Sequence, residues 1–159
     1  MIRIRQARPG EEALIAGIIR DSMLASYARF LPAPVFQRLM DMDRPAQVAE
    51  ANGPDFLIAE ADGVPAGALL RRDDYVDHLW THPDHMGRGV GSALLAHAEA
   101  DAARAGYGRL TLDCLQRNEK AAAFYRARGY AVERTYTAAN HLAGERVHFM
   151  VKALPPTGA

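Results

Sequence analysis

Three kinds of chemistry-bearing residue stand within the stretch from Asp77 to Tyr130. The first is the run Gly87-Arg88-Gly89-Val90-Gly91-Ser92, which follows His82-Pro83 and leads into Ala93-Leu94-Leu95. Glycine lets the backbone come close to a ligand, and the first amides of a helix have no partner inside it. Such a run can hold an anionic phosphate at the positive end of a helix dipole. The second is Asp113, a carboxylate inside the apolar run Leu110-Thr111-Leu112-Asp113-Cys114. It can take a proton from an attacking ammonium, directly or through water. The third is Tyr125, seven residues after Asn118 and so on the same helix face. A phenol, with a pKa of about 10, can give a proton to a departing thiolate. A phosphate cradle beside an acid and a base equips a transferase that uses a phosphorylated carrier.

Plainer roles exist for each group. The glycines can make a tight turn without a ligand, and Asp113 can pair with a histidine or arginine of a neighbouring strand. Asn118 is a good helix N-cap in its own right, and a partly buried tyrosine commonly bonds to backbone. Two other phosphate motifs fail on residues. The dinucleotide fingerprint needs glycine where Ser92 stands, and a P-loop needs Gly-Lys-Ser/Thr. Cys114 alternates with Leu110 and Leu112 toward the core, which argues against a nucleophile. His78, His82 and His85 are interrupted by Pro83 and lack ligand spacing, so no metal is expected.

The elements that must position these groups follow from periodicity and punctuation. Ile2 to Gln6 alternates as a strand, and Leu14, Ile15, Ile18, Ile19 and Met23 recur as a helix from Glu11 to about Arg29. Pro32 and Pro34 break it, a second helix starts near Val35, and Pro45 is expected to end or interrupt that one. Phe56 to Ala61 and Val64 to Arg71 flank Asp62-Gly63 as a hairpin. Strands are expected at 75–81, 110–115, 130–137 and 146–151, with helices at 89–105 and 118–128.

With 159 residues the chain fits one domain, expected over 1–154, with 155–159 as a loose tail. Its net charge of +0 gives no bulk field for nucleic acid, and the arginines at 126, 128 and 134 read as solvated faces or at most a local patch. One cysteine allows no intrachain disulfide. The N-terminus has no apolar signal region, and Ala13 to Ile19 is too short to span a bilayer. A cytoplasmic protein without membrane contact is the expectation.

From about Leu79 to Tyr130 the chain resembles the GNAT superfamily of acyl-CoA-dependent N-acetyltransferases. That family's phosphate signature, Gln/Arg-x-x-Gly-x-Gly/Ala, is represented by Met86-Gly87-Arg88-Gly89-Val90-Gly91, with Met86 departing from it. The resemblance implies an α/β (α+β) fold: one mixed, mostly antiparallel sheet, splayed between its fourth and fifth strands and flanked by helices. It implies acetyl-CoA as cosubstrate, its pantetheine arm along the backbone of Leu79, Trp80 and Thr81, and its pyrophosphate on the amides of Gly87, Arg88, Gly89, Val90, Gly91 and Ser92. Asn118 would contact the cofactor near the thiol, and Tyr125 would protonate the departing sulfur. Asp113 falls where some protein N-terminal acetyltransferases carry a general-base glutamate, with Asp77 and His78 as alternates. Tyr27, Phe30 and Phe36 would shape the acceptor pocket or fill a core stripe. The expected activity is direct acetyl transfer to a small-molecule primary amine. A protein or peptide N-terminus, or a non-catalytic acyl-CoA-binding regulatory module, is the alternative, and a homodimer is compatible with either.

Overall fold

Alternation makes β1 (Ile2–Gln6) a half-buried edge strand, and the same rule builds most of the sheet beside it. The computed structural model describes residues 1–156. Seven strands form one sheet in the order β1-β2-β3-β4-β5-β7-β6. They are β1, β2 (Leu57–Ala61), β3 (Val64–Arg72), β4 (Tyr75–Thr81), β5 (Arg109–Leu115), β6 (Ala131–Thr137) and β7 (Arg146–Ala153). Every neighbouring pair is antiparallel except β4 with β5, which is parallel. The mixed, mostly antiparallel sheet expected from the sequence is therefore present. Asp62 (φ 50°) and Gly63 (φ 82°) both take the left-handed conformation that a two-residue hairpin turn requires.

The helices are α1 (Glu12–Ala25), α2 (Tyr27–Phe30), α3 (Ala33–Asp41), α4 (Arg44–Asn52), α5 (Val90–Arg104) and α6 (Glu119–Ala127). Two boundaries differ from the sequence expectation. The first helix ends at Ala25 rather than near Arg29, because Ser26 leaves helical geometry (φ −120°) while its hydroxyl donates to Ser22 O at 2.7 Å. Pro45 opens α4 instead of ending a helix. In the first turn its missing N–H is no loss, and Asp43 caps the turn by accepting from Ala46 N. Of the tail expected at 155–159, residues 157–159 lie outside the described residues; Leu154 is tied down by Gly108 O at 2.9 Å.

The helices cover both faces. On one, Leu94, Leu95, Ala98 and Ala102 of α5 pack with Leu69, Val76, Leu110, Leu112 and Met150. On the other, Ile15, Ile19 and Met23 of α1 pack with Phe56, Ile58, Leu70 and Trp80. A smaller patch joins Leu31 and Leu39 to Leu115, Ala138 and Val147.

The seat of α5 depends on Gly67 of β3. A Cβ there would lie 2.7 Å from Val90 Cγ1 and 3.0 Å from both Leu94 Cδ1 and Trp80 O. Two of these are the helix's own inner side chains, so the helix head would have to lift. Gly67→Ala is expected to destabilise the fold by about 1–3 kcal/mol, seen as a lower urea midpoint.

A bulge in β4 sets which residues face which layer. Arg71 pairs with Val76 but Leu70 pairs with His78, so Asp77 is the extra residue. Val76 therefore joins the α5 face, while Trp80 packs on the α1 face. Just before the bulge, β4 meets β5 at two rungs only, Tyr75↔Thr111 and Val76↔Leu112. From there the two strands part.

Candidate active site

The glycine-rich bend leaves a continuous row of donors. Gly87 (φ 76°) and Gly89 (φ 84°) take conformations that favour glycine. On either side the backbone is paired: Met86 N donates to Pro83 O and Ala93 N to Gly89 O at 3.0 Å. Between them, the six amides from Gly87 to Ser92 donate to nothing among the described residues. A Cβ on Gly87 would meet no atom within 4 Å, and one on Gly89 would meet only Ile2 Cδ1, at 3.8 Å. Six free N–H groups at the head of a 15-residue helix fit a pyrophosphate. Arg88 is exposed and lies near enough to Asp62 to influence it electrostatically.

A cation that the sequence left among surface arginines stands at this bend. Arg128 Nε and Nη2 both donate to Ser92 Oγ, the former at 2.9 Å, and Nη1 donates to Phe124 O at 2.9 Å. Its guanidinium lies 3.7 Å over the Phe124 ring. Thirty-six positions separate Arg128 from Ser92, so no local pattern announces the pair.

Below the bend, the parting of β4 and β5 leaves backbone unpaired. His82 N donates to Ala66 O, so in the antiparallel ladder the amides of His82 and Trp80 face β3. Those of Leu79 and Thr81 consequently face the gap. Of the three residues expected to line the cofactor, Leu79 and Thr81 offer backbone there, while the Trp80 side chain is buried in the α1-side core.

Tyr125 reaches the same region from α6. Its ring stands edge-on to Phe124 at 5.3 Å and to Tyr130 at 5.9 Å. Its hydroxyl makes no hydrogen bond among the described residues. Burial, with smaller contributions from Cys114 and Tyr27, raises its pKa above the ordinary phenol range, so it is protonated at neutral pH. Tyr27, on the short α2, carries a phenol raised by burial and then by Cys114, and its ring packs 5.3 Å from Trp80. Asn118 acts as the N-cap of α6, accepting from Ala121 N at 3.2 Å. Cys114 is buried, and burial pushes its thiol up to about 11, which leaves little thiolate for nucleophilic attack.

Asp113 lies one residue from Cys114, on the opposite face of β5. Tyr75 Oη donates to its Oδ2 at 2.6 Å, while Oδ1 is buried without a partner. Of the alternates, Asp77 is the bulged residue and half exposed. His78 is held neutral, its pKa lowered to about 4 by burial against the opposing pull of Asp77. Its Nδ1 accepts from Trp80 Nε1 at 3.2 Å, so its proton sits on Nε2 and its one lone pair is already engaged. His78 therefore has no free lone pair with which to accept a proton. His82 bridges Asp21 at 2.9 Å and accepts from Asp84 N, tying the turn before the bend to α1. Among the described residues no three His, Cys, Asp or Glu gather to hold a metal, and no helix is long and apolar enough to cross a membrane.

The profile of the acetyltransferase (GNAT) family matches residues 20–130. The chain belongs to this family. Among curated relatives, the peptidyl-lysine N-acetyltransferase YjaB of Escherichia coli K12 is 31% identical over 132 residues, 83% of this chain and 84% of YjaB. Among solved structures, a GCN5-related N-acetyltransferase from Rhodopseudomonas palustris superposes with a TM-score of 0.80 at 28% identity, covering 96% of this chain and 95% of its own. The apo form of YjaB gives 0.77 at 25%, covering 98% and 99%. As a GNAT acetyltransferase, the chain has its unpaired amides where the sequence signature of the family falls.

Proposed function

We propose that this acetyl-CoA-dependent N-acetyltransferase moves the acetyl group to the primary amine of a small molecule. Residues 1–154 would form the catalytic domain. The observation that carries the reading is the row of six unpaired amides at the head of α5, with an unpartnered phenol beside the gap below it. Bound there, acetyl-CoA supplies a thioester carbonyl open to attack by an amine. The amides of Gly87 to Ser92 would hold the pyrophosphate, and the backbone of Leu79 and Thr81 the pantetheine arm. Asp113 takes the proton from the incoming ammonium. The N–H groups lining the gap steady negative charge on the reacting oxygen, Tyr125 gives a proton to the leaving sulfur, and the second proton lost by the nitrogen restores the phenol. Holding both reactants in one cleft makes a covalent enzyme intermediate unnecessary, in keeping with the protonated Cys114.

A lysine side chain is a second reading, favoured by the peptidyl-lysine activity named for YjaB. A CoA-release screen over small amines, amino acids, polyamines, aminoglycosides, lysine peptides and free peptide N-termini separates these acceptors. Asp113→Asn, run with the best of them, is expected to lower kcat by about 10²–10⁴-fold. No CoA release with any amine, together with no acetyl-CoA-induced rise in melting temperature, would sink the proposal.

A further inference from the structure

The carboxylate of Asp113 is held asymmetrically. Oδ2 takes the Tyr75 hydroxyl at 2.6 Å, and Oδ1 is buried with no partner. A carboxylate oxygen shut from water and left unpaired is costly, and such an atom calls for a missing donor. Tyr75 is well placed to impose this arrangement. It sits on the last paired rungs of β4 before the bulge, opposite Thr111. That rung is locked, since Thr111 gives both its amide (2.7 Å) and its hydroxyl (3.0 Å) to Asp74 O.

The other groups around the carboxylate come from the surrounding strands. From β4 come Tyr75 and, farther off, Asp77. On β5 the neighbouring Cys114 turns to the opposite face, and its thiol stays protonated. From β7 comes the apolar ring of Phe149, paired with Asp113 and covered by the Arg134 guanidinium of β6 at 4.8 Å. Also from β6 comes Tyr136, 37% exposed, its phenol pushed up to about 12 by burial first and then by Asp113. Tyr136 is thus a second, surface-facing phenol close enough to Asp113 to offer it a hydrogen bond.

We propose that Tyr75 is a positioning residue: by occupying Oδ2 it holds the carboxylate so that Oδ1 can accept an N–H of the acceptor's ammonium in place of the nearby Tyr136 phenol. This rests on Asp113 being the proton acceptor assigned above.

The test is steady-state CoA release with a primary amine acceptor, comparing the parent, Tyr75→Phe, Asp113→Asn and the double variant. Tyr75→Phe removes the hydroxyl that engages Oδ2 and is expected to lower kcat by about tenfold or more while KM for acetyl-CoA holds. Because the phenol acts only through the carboxylate, adding Tyr75→Phe to Asp113→Asn should cost nothing further. An undiminished kcat in Tyr75→Phe, or a loss that adds in full to that of Asp113→Asn, overturns the proposal. If Tyr75→Phe does not fold, Asp113→Glu carries the test: one more methylene moves the carboxylate off the Tyr75 hydroxyl, kcat should fall while KM for acetyl-CoA holds, and an undiminished kcat overturns the proposal equally. Lost turnover in Asp113→Asn with full turnover in Tyr75→Phe sinks the positioning role and leaves the transferase reading standing. Full turnover in Asp113→Asn removes the proton-acceptor assignment, and the positioning role with it.

Discussion

Tyr125→Phe lowers kcat by about 10²–10⁴-fold, the range expected when a positioned general acid is removed. KM for acetyl-CoA stays within about twofold, because the lost interaction belongs to the transition state rather than to binding. The phenol qualifies on three counts: it lies by the gap, it has no hydrogen-bond partner among the described residues, and burial keeps it protonated. The ring's edge-on contacts with Phe124 and Tyr130 survive in phenylalanine, so the fold should be indifferent to the change. Steady-state CoA release at several acetyl-CoA concentrations makes the measurement. An undiminished kcat would transfer the acid role elsewhere. Tyr27, electrostatically coupled to Tyr125 and to Cys114, is then the phenol to remove next.

Gly91→Val is expected to weaken acetyl-CoA binding by about 10–100-fold, from a steric cost of about 1–3 kcal/mol at about 1.4 kcal/mol per tenfold. Gly91 is the informative position because its backbone is ordinarily helical, whereas Gly87 and Gly89 are left-handed and any side chain there strains the chain itself. A Cβ at Gly91 would press within 3.3 Å of the Phe124 ring and 3.5 Å of Thr81 Oγ1. Those two atoms belong to the walls of the space where α5, α6 and the end of β4 converge. Valine's branches would fill that space without altering a backbone amide. Calorimetric titration with acetyl-CoA reads the effect, and Gly91→Ala should fall between valine and the parent. Unchanged affinity in Gly91→Val would mean that the coenzyme passes elsewhere.

The parts of this site that were legible in the sequence are those built from near neighbours. Alternation marked β1, apolar runs between turn residues marked the later strands, Asp-Gly marked the hairpin, and the glycine spacing marked the bend before α5. The N-cap of α6 followed from Asn118 alone, and the face opposite Asp113 from counting residues along β5. What stayed hidden was made by chain crossing chain. Tyr75 meets Asp113 across 38 positions and Arg128 meets Ser92 across 36. The bulge at Asp77 exchanges the two faces of β4 midway, which no alternation pattern reveals in advance. Among the early helices, a proline can stop one element or start another, and only Asp43 accepting from Ala46 N decided that Pro45 does the second.

The two-rung junction of β4 with β5 gives the molecule an open seam in its middle. Most sheets confine bare strand margins to their periphery, where they risk recruiting foreign chains. Here two such margins face each other indoors, flanked by helical layers on both sides. Whatever lies in that seam must be narrow and able to exchange hydrogen bonds with amides, which already rejects most apolar molecules. The two panels, β1–β4 and β5–β7, are stitched tightly only at one end. Amides of β5 turned toward the seam beyond Leu112 should therefore exchange with deuterium faster than those turned toward β7, and the disparity should vanish once the seam is filled.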